Sequence, residues 1–182
     1  TAHALAPFLD KPFAFFGHSM GATLAFEVAR LLRDEKRQMP VHLFVSARHA
    51  PQLPDPEPPI YDLPEAELKE ELRNLNGTPP EVLEHPELME LMLPLFRADC
   101  RVSETHTYRP GSPLDCSITA YGGLQDQHVR REHLEPWREH TTGAFTLRML
   151  AGDHFFIHTS HTLLLRTLSR DLYQIVASFA LQ

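Results

Sequence analysis

The chain has 182 residues, 42% of them apolar, enough to build one well-cored globular domain. Acidic residues outnumber basic ones 24 to 17, giving a formal net charge of −7. No basic stripe dominates, which excludes a nucleic-acid binder working through counterion release. No apolar run approaches the ~20 residues that span a bilayer, and the opening Thr1-Ala2-His3-Ala4-Leu5 lacks the basic-then-apolar order of a secretory signal. Two cysteines, Cys100 and Cys116, are too few for a disulfide framework; as buried free thiols they fit a reducing cytoplasm.

In chain order, Thr1 to Phe8 reads as the last turns of a helix whose start is absent. Phe13 to Phe16 (FAFF) is apolar on successive residues, the pattern of a strand buried on both faces. Met20 to Leu32 is an amphipathic helix with Leu24, Val28, Leu31 and Leu32 on its stripe and Ala22, Ala25 and Ala29 allowing close packing. Val41 to Ser46 (VHLFVS) is a second strand. From Pro51 to Pro94 the character changes: eleven acidic residues face only Lys69 and Arg73, and ten of the sixteen prolines lie here. Such a stretch is an insertion, not a strand of a central sheet. Within it, Pro64 to Leu75 spaces Leu68, Leu72 and Leu75 on one helical face. Pro86 to Phe96 is a second helical pattern, interrupted by Pro94. Ser117 to Tyr121 (SITAY) and Phe145 to Leu150 (FTLRML) are two further strands with a helix-like segment, Arg131 to His140, between them. Leu163 to Phe179 closes the chain as a helix carrying Leu164, Leu168, Leu172, Ile175, Val176 and Phe179. Strands alternating with helices imply a parallel sheet covered on both faces, an α/β fold.

Gly17-His18-Ser19-Met20-Gly21 follows the first strand and opens the first helix. The pattern G-x-S-x-G alone occurs by chance; its strand-to-helix setting gives it meaning. A serine on so sharp a turn has a strained backbone, so both flanking glycines are expected to avoid clashes. The turn lifts Ser19 Oγ above the sheet and aims the backbone N–H of Met20 at a developing oxyanion. A serine hydroxyl needs a base, and in this architecture the partners follow in the order acid, then histidine, at later strand ends. Asp126 follows SITAY in YGGLQDQHV, where Gly122 and Gly123 let the chain turn at the sheet rim. His154 follows FTLRML in LAGDHFFIH. Asp153 is the rival acid, disfavoured because it cannot easily point into its neighbour's ring. His154, His158 and His161 have a spacing that could hold a metal on one helix face, but no Glu or Cys accompanies them, so neither metal nor cofactor is expected. His128 and His133 read as solvated.

With these pieces assembled, the chain resembles the type II thioesterases that accompany non-ribosomal peptide and polyketide synthases, α/β-hydrolases close to the medium-chain thioesterase of fatty acid synthesis. The resemblance rests on PFAFFGHSMGA, PVHLFVSARHAP, YGGLQDQHV and LAGDHFFIH, in order, and covers essentially the whole chain. The second strand ends Val45-Ser46-Ala47-Arg48 without a carboxylate, so the acid at Asp126 matches the discrete type II arrangement rather than that of domains fused to a synthetase. The resemblance implies one α/β-hydrolase domain, with core 1–50 and 109–182 and a helical lid over 51–108. It also implies hydrolysis of acyl thioesters from the phosphopantetheine arm of an acyl or peptidyl carrier protein, through Ser19, Asp126 and His154. Arg130, Arg131 and Arg138 are candidate contacts for an acidic carrier. Family members have further strands upstream and a glycine-rich loop supplying a second oxyanion donor; none is present here, so a fragment lacking them is expected. The alternatives are a generic carboxylesterase of the same fold and an inactive docking module.

Overall fold

The computed structural model describes residues 5–55 and 58–179. Thr1–Ala4 lie outside the described residues, and of the expected opening helix only a 3₁₀ turn, Ala6–Phe8, falls within them. Four strands, β1 (Ala14–His18), β2 (His42–Ser46), β3 (Ser117–Gly123) and β4 (Phe145–Leu150), form one parallel sheet in the order β1-β2-β3-β4. Between them run α1 (Met20–Asp34), then α2 (Glu65–Leu75), α3 (Pro80–Leu83) and α4 (Pro86–Glu104), then α5 (Arg131–Leu134) with a 3₁₀ extension, Glu135–His140. The chain ends in α6 (Phe156–Thr159) and α7 (His161–Phe179).

Alternate side chains of a strand point to opposite faces, and the buried clusters divide accordingly. Leu43, Val45, Ile118 and Ala120 face Ala22, Phe26 and Ala29 of α1 together with Leu134 and Trp137. Phe44, Tyr121 and Leu150 face Phe156 and Leu164. The result is a helix–sheet–helix sandwich. Arg148 of β4 reaches across the second interface and donates to both carboxylate oxygens of Asp171 on α7, at 2.5 and 2.9 Å.

Several expectations need correction. In α1 the core-facing set is Ala22, Phe26, Ala29 and Leu32, while Leu24 and Leu31 point outward, because the helix carries two apolar faces and only one meets the sheet. In α7, Leu164, Leu168 and Ile175 pack inward, whereas Leu172 and Val176 are exposed. Pro94 does not interrupt its helix: α4 runs from Pro86 through to Glu104. The lost hydrogen bond costs about 3 kcal/mol, and packing on both sides of the proline, by Met89, Leu93 and Phe96 against Leu68, Leu72 and Leu83, holds the segment in line. β1 lies at one edge of the sheet among the described residues, and Phe16 is 43% exposed, so the strand is not buried on both faces.

Candidate active site

Ser19 sits between β1 and α1 with φ 52° and ψ −120°, in the strained region that non-glycine residues rarely adopt. Its amide donates to the Ser46 carbonyl at 2.7 Å, tying the turn to the end of β2. As the residue that caps α1, Ser19 makes no side-chain capping bond; its hydroxyl lies 3.1 Å from His154 Nε2 instead. Met20 opens the helix, so its N–H is among the amides a helix leaves without an internal partner.

The two flanking glycines prove unequal. A Cβ on Gly17 would lie 2.1 Å from the Gly21 carbonyl oxygen and 2.5 Å from the Ala22 nitrogen, so glycine is obligatory there. A Cβ on Gly21 would meet nothing within 4 Å. The clash argument therefore holds for Gly17 alone, because Gly21 enters that contact through its backbone and faces the open cavity with its missing side chain.

His154 is 7% exposed, and its Nδ1 donates to Asp126 Oδ2 at 3.0 Å. Asp126, 6% exposed, has its other oxygen, Oδ1, held by the amides of His128 at 2.9 Å and Val129 at 3.0 Å. Burial pushes its carboxyl up, but the hydrogen bond and charge of His154 and those two amides outweigh this and hold it below the ordinary range. Gly122 and Gly123 lie within β3 and are not the turn. Both act by close approach: a Cβ on Gly122 would meet the Leu134 side chain at 2.4 Å, and one on Gly123 would sit 2.3 Å from the Asp153 carbonyl. A bare backbone at Gly123 lets the loop carrying His154 pass next to Asp126.

Asp153 is engaged elsewhere, accepting from Asn76 Nδ2 at 2.8 Å and from the Phe155 amide at 2.9 Å. The three spaced histidines do not converge. His158 stacks on Phe155, and His161 Nδ1 donates to the His158 carbonyl at 3.1 Å. Among the described residues no group of three or more potential ligands could hold a metal.

Two residues take positions that sequence reasoning did not give them. His18 bonds through Nδ1 to Ser46 Oγ at 2.9 Å, and its ring centroid is 5.4 Å from that of His154. Burial, then the neighbouring His154, pushes it down to about 4, so it is neutral at pH 7 beside the His154 ring. His128, expected to be solvated, is half-buried with its ring 6.1 Å from His154 and faces the cavity. Their signal was adjacency in sequence to Ser19 and Asp126. The cavity above Ser19 measures about 540 Å³ and is mostly apolar, with Met20, Ala47, Ile60 and Leu75 among its walls. Cys116 is buried as expected; Cys100 is half-buried and faces this cavity.

A serine at a strained strand-to-helix turn, with a histidine and a buried carboxylate brought from two later strand ends, defines an α/β-hydrolase. The chain belongs to the thioesterase family, whose domain model matches residues 1–172. It is 46% identical over 181 residues to the linear gramicidin dehydrogenase LgrE of Brevibacillus parabrevis, covering 98% of this chain and 69% of that protein. Among solved structures, the RedJ thioesterase from the prodiginine pathway of Streptomyces coelicolor superposes with a TM-score of 0.85 at 38% identity, covering 92% of this chain and 66% of that one. The type II thioesterase BorB from the borrelidin cluster superposes at 0.81 with 40% identity, covering 93% and 70%. The chain spans about two thirds of the length of these relatives. The resemblance to type II thioesterases is thereby borne out. Among the described residues no helix is long and apolar enough to cross a membrane.

Proposed function

We propose that the chain hydrolyses acyl groups from the phosphopantetheine thiol of a carrier protein, with Ser19 as nucleophile, His154 as base and Asp126 as its orienting acid. The observation that carries this reading is the hydrogen-bonded series Asp126–His154–Ser19, at 3.0 and 3.1 Å. His154 Nε2 takes the hydroxyl proton as Ser19 Oγ attacks the thioester carbonyl. The Met20 N–H stabilises the oxyanion, and the C–S bond breaks as the same proton passes to the leaving thiolate. Water, deprotonated by His154, then cleaves the acyl-Ser19 ester and returns the proton to Ser19. Asp126, with Oδ1 pinned by two amides, keeps Oδ2 on the imidazole and stabilises its charged form.

The helical segment within 51–108 serves as the lid of this site, and its apolar wall suits an acyl chain. Arg130 and Arg131, both exposed, are the docking contacts offered to an acidic carrier; Arg138 is also exposed and lies over the Phe145 ring at 4.9 Å. The discriminating experiment compares kcat/KM for one acyl group on carrier-bound pantetheine and on a simple alcohol. A higher value for the carrier thioester is expected. Equal or better turnover of the oxygen ester would favour a carboxylesterase.

A further inference from the structure

Beside the 540 Å³ cavity lies a second one of about 230 Å³, set against Thr23, Leu53 and Trp137. Arg48, His49, Asp55, Ser103 and Glu104 face both cavities. Side chains that line two spaces stand between them, so these five are a common wall. The wall is made of side-chain contacts. Arg48 donates from Nη1 to Ser103 Oγ and from Nη2 to the Ser103 carbonyl, both at 3.1 Å. His49 Nε2 lies 3.5 Å from Asp55 Oδ2. Glu104 is fixed by the amides of Ile60 and Tyr61, each at 3.0 Å.

The direction of Arg48 is also set by its backbone. Ala47 before it has φ 49°, and the Arg48 carbonyl accepts from Trp137 Nε1 at 2.8 Å. The guanidinium thus bridges the end of β2 to the last turn of α4. An apolar chain extending from Ser19 through the mostly apolar cavity meets a charged, hydrogen-bonded barrier, which it could pass only by stripping those groups of their partners.

We infer that Arg48, braced on Ser103, is the stop that sets the longest acyl chain the site accepts, and that the smaller cavity behind it is space withheld from substrate. This rests on the thioesterase reading above, and names Arg48 as a specificity-determining residue of that same site.

The test is a binding series that requires no turnover: dissociation constants of S-alkyl pantetheine thioethers, from ethyl to tetradecyl, for the wild-type chain and for Arg48→Ala. In the wild type, affinity should rise about three- to fourfold per methylene and then break at a defined length. In Arg48→Ala the break should move several methylenes longer, with a gain of at least tenfold just beyond the wild-type limit. Adding Thr23→Leu to Arg48→Ala refills the smaller cavity and should return the break to its original place. Thr23→Leu alone, with the wall intact, should leave the series unshifted. Where Arg48→Ala fails to fold, Arg48→Gln keeps a donor for Ser103 and should shift the break in the same direction by less. An unmoved break in the Arg48 variants, or a shifted one in Thr23→Leu alone, overturns the inference. Failure of the parent reading would show separately, as a wild-type chain that cleaves no acyl thioester.

Discussion

The sheet core and the helical insertion are held together by different means. In the core, backbone ladders join four strands, and Ser19, Asp126 and His154 sit just past strand ends, where the sheet holds them in place. The insertion has its own small apolar cluster around Leu68, Leu72, Leu83 and Met89. Side-chain hydrogen bonds tie it to itself and to the core: Arg97 to the carbonyls of Tyr61 and Leu63 at 2.7 and 2.6 Å, Asn76 to Asp153, and Arg48 to Ser103. In the proposed reading, one region fixes the reacting atoms and the other shapes what reaches them. Changes in the first should therefore cost rate or fold, and changes in the second should alter access and local stability.

The largest effect on that division is expected at the two candidate acids. Asp126→Asn should lower kcat by about 10³–10⁴-fold, because the amide favours the wrong histidine tautomer. Asp153→Asn should cost less than about tenfold, acting only through the contacts with Asn76 and the Phe155 amide. Steady-state kinetics on one acyl thioester decide between them, and the reverse ranking would move the acid to Asp153.

At the turn, Gly17→Ala should destabilise the fold by about 3 kcal/mol or more, since the new methyl meets backbone that cannot yield. Gly21→Ala should stay within about 1 kcal/mol of the parent, because its methyl enters open space and alanine favours the helix. Urea unfolding of both variants measures the difference.

In the insertion, Arg97→Ala removes two charge-assisted bonds worth about 1.5–3 kcal/mol each. Hydrogen exchange should quicken over 58–104 while β2, β3 and β4 keep their protection. Uniform loss across the chain would show that the two regions unfold together.

The smallest effect concerns pH. His18 and His42 are both held near 4, each chiefly by burial, against an ordinary value of 6.5. Between these values the unfolded chain binds more protons than the folded one, so stability rises with pH and is complete above about 6.5. Acidification from pH 7 towards 4 should cost about 1–2 kcal/mol after allowance for solvent screening. His18→Phe should flatten that dependence, read from denaturant midpoints at several pH values.

What the sequence made legible was the part of the fold governed by local rules. The four strands fall where short β-rich runs meet turn residues, and Ser19, Asp126 and His154, read from strand-end position and order, come together in space. Less legible was anything settled by tertiary packing. The outward turn of Leu24 and Leu31 depends on which face of α1 meets the sheet, and the continuity of α4 through Pro94 depends on neighbours from α2 and α3. Gly122 and Gly123 looked like turn residues, yet serve close approaches that only the assembled fold creates, Gly122 to the Leu134 and Met149 side chains and Gly123 to the histidine loop. Arg48 could not be singled out at all, because its partner Ser103 is 55 residues away in sequence.

The most direct test of the central claim is covalent. The chain, treated with a fluorophosphonate and digested, should carry the label on the peptide holding Ser19, and His154→Ala should abolish labelling while leaving the fold intact. A label on another residue, or thioester turnover that persists in Ser19→Ala, would contradict the assignment of Ser19 as nucleophile.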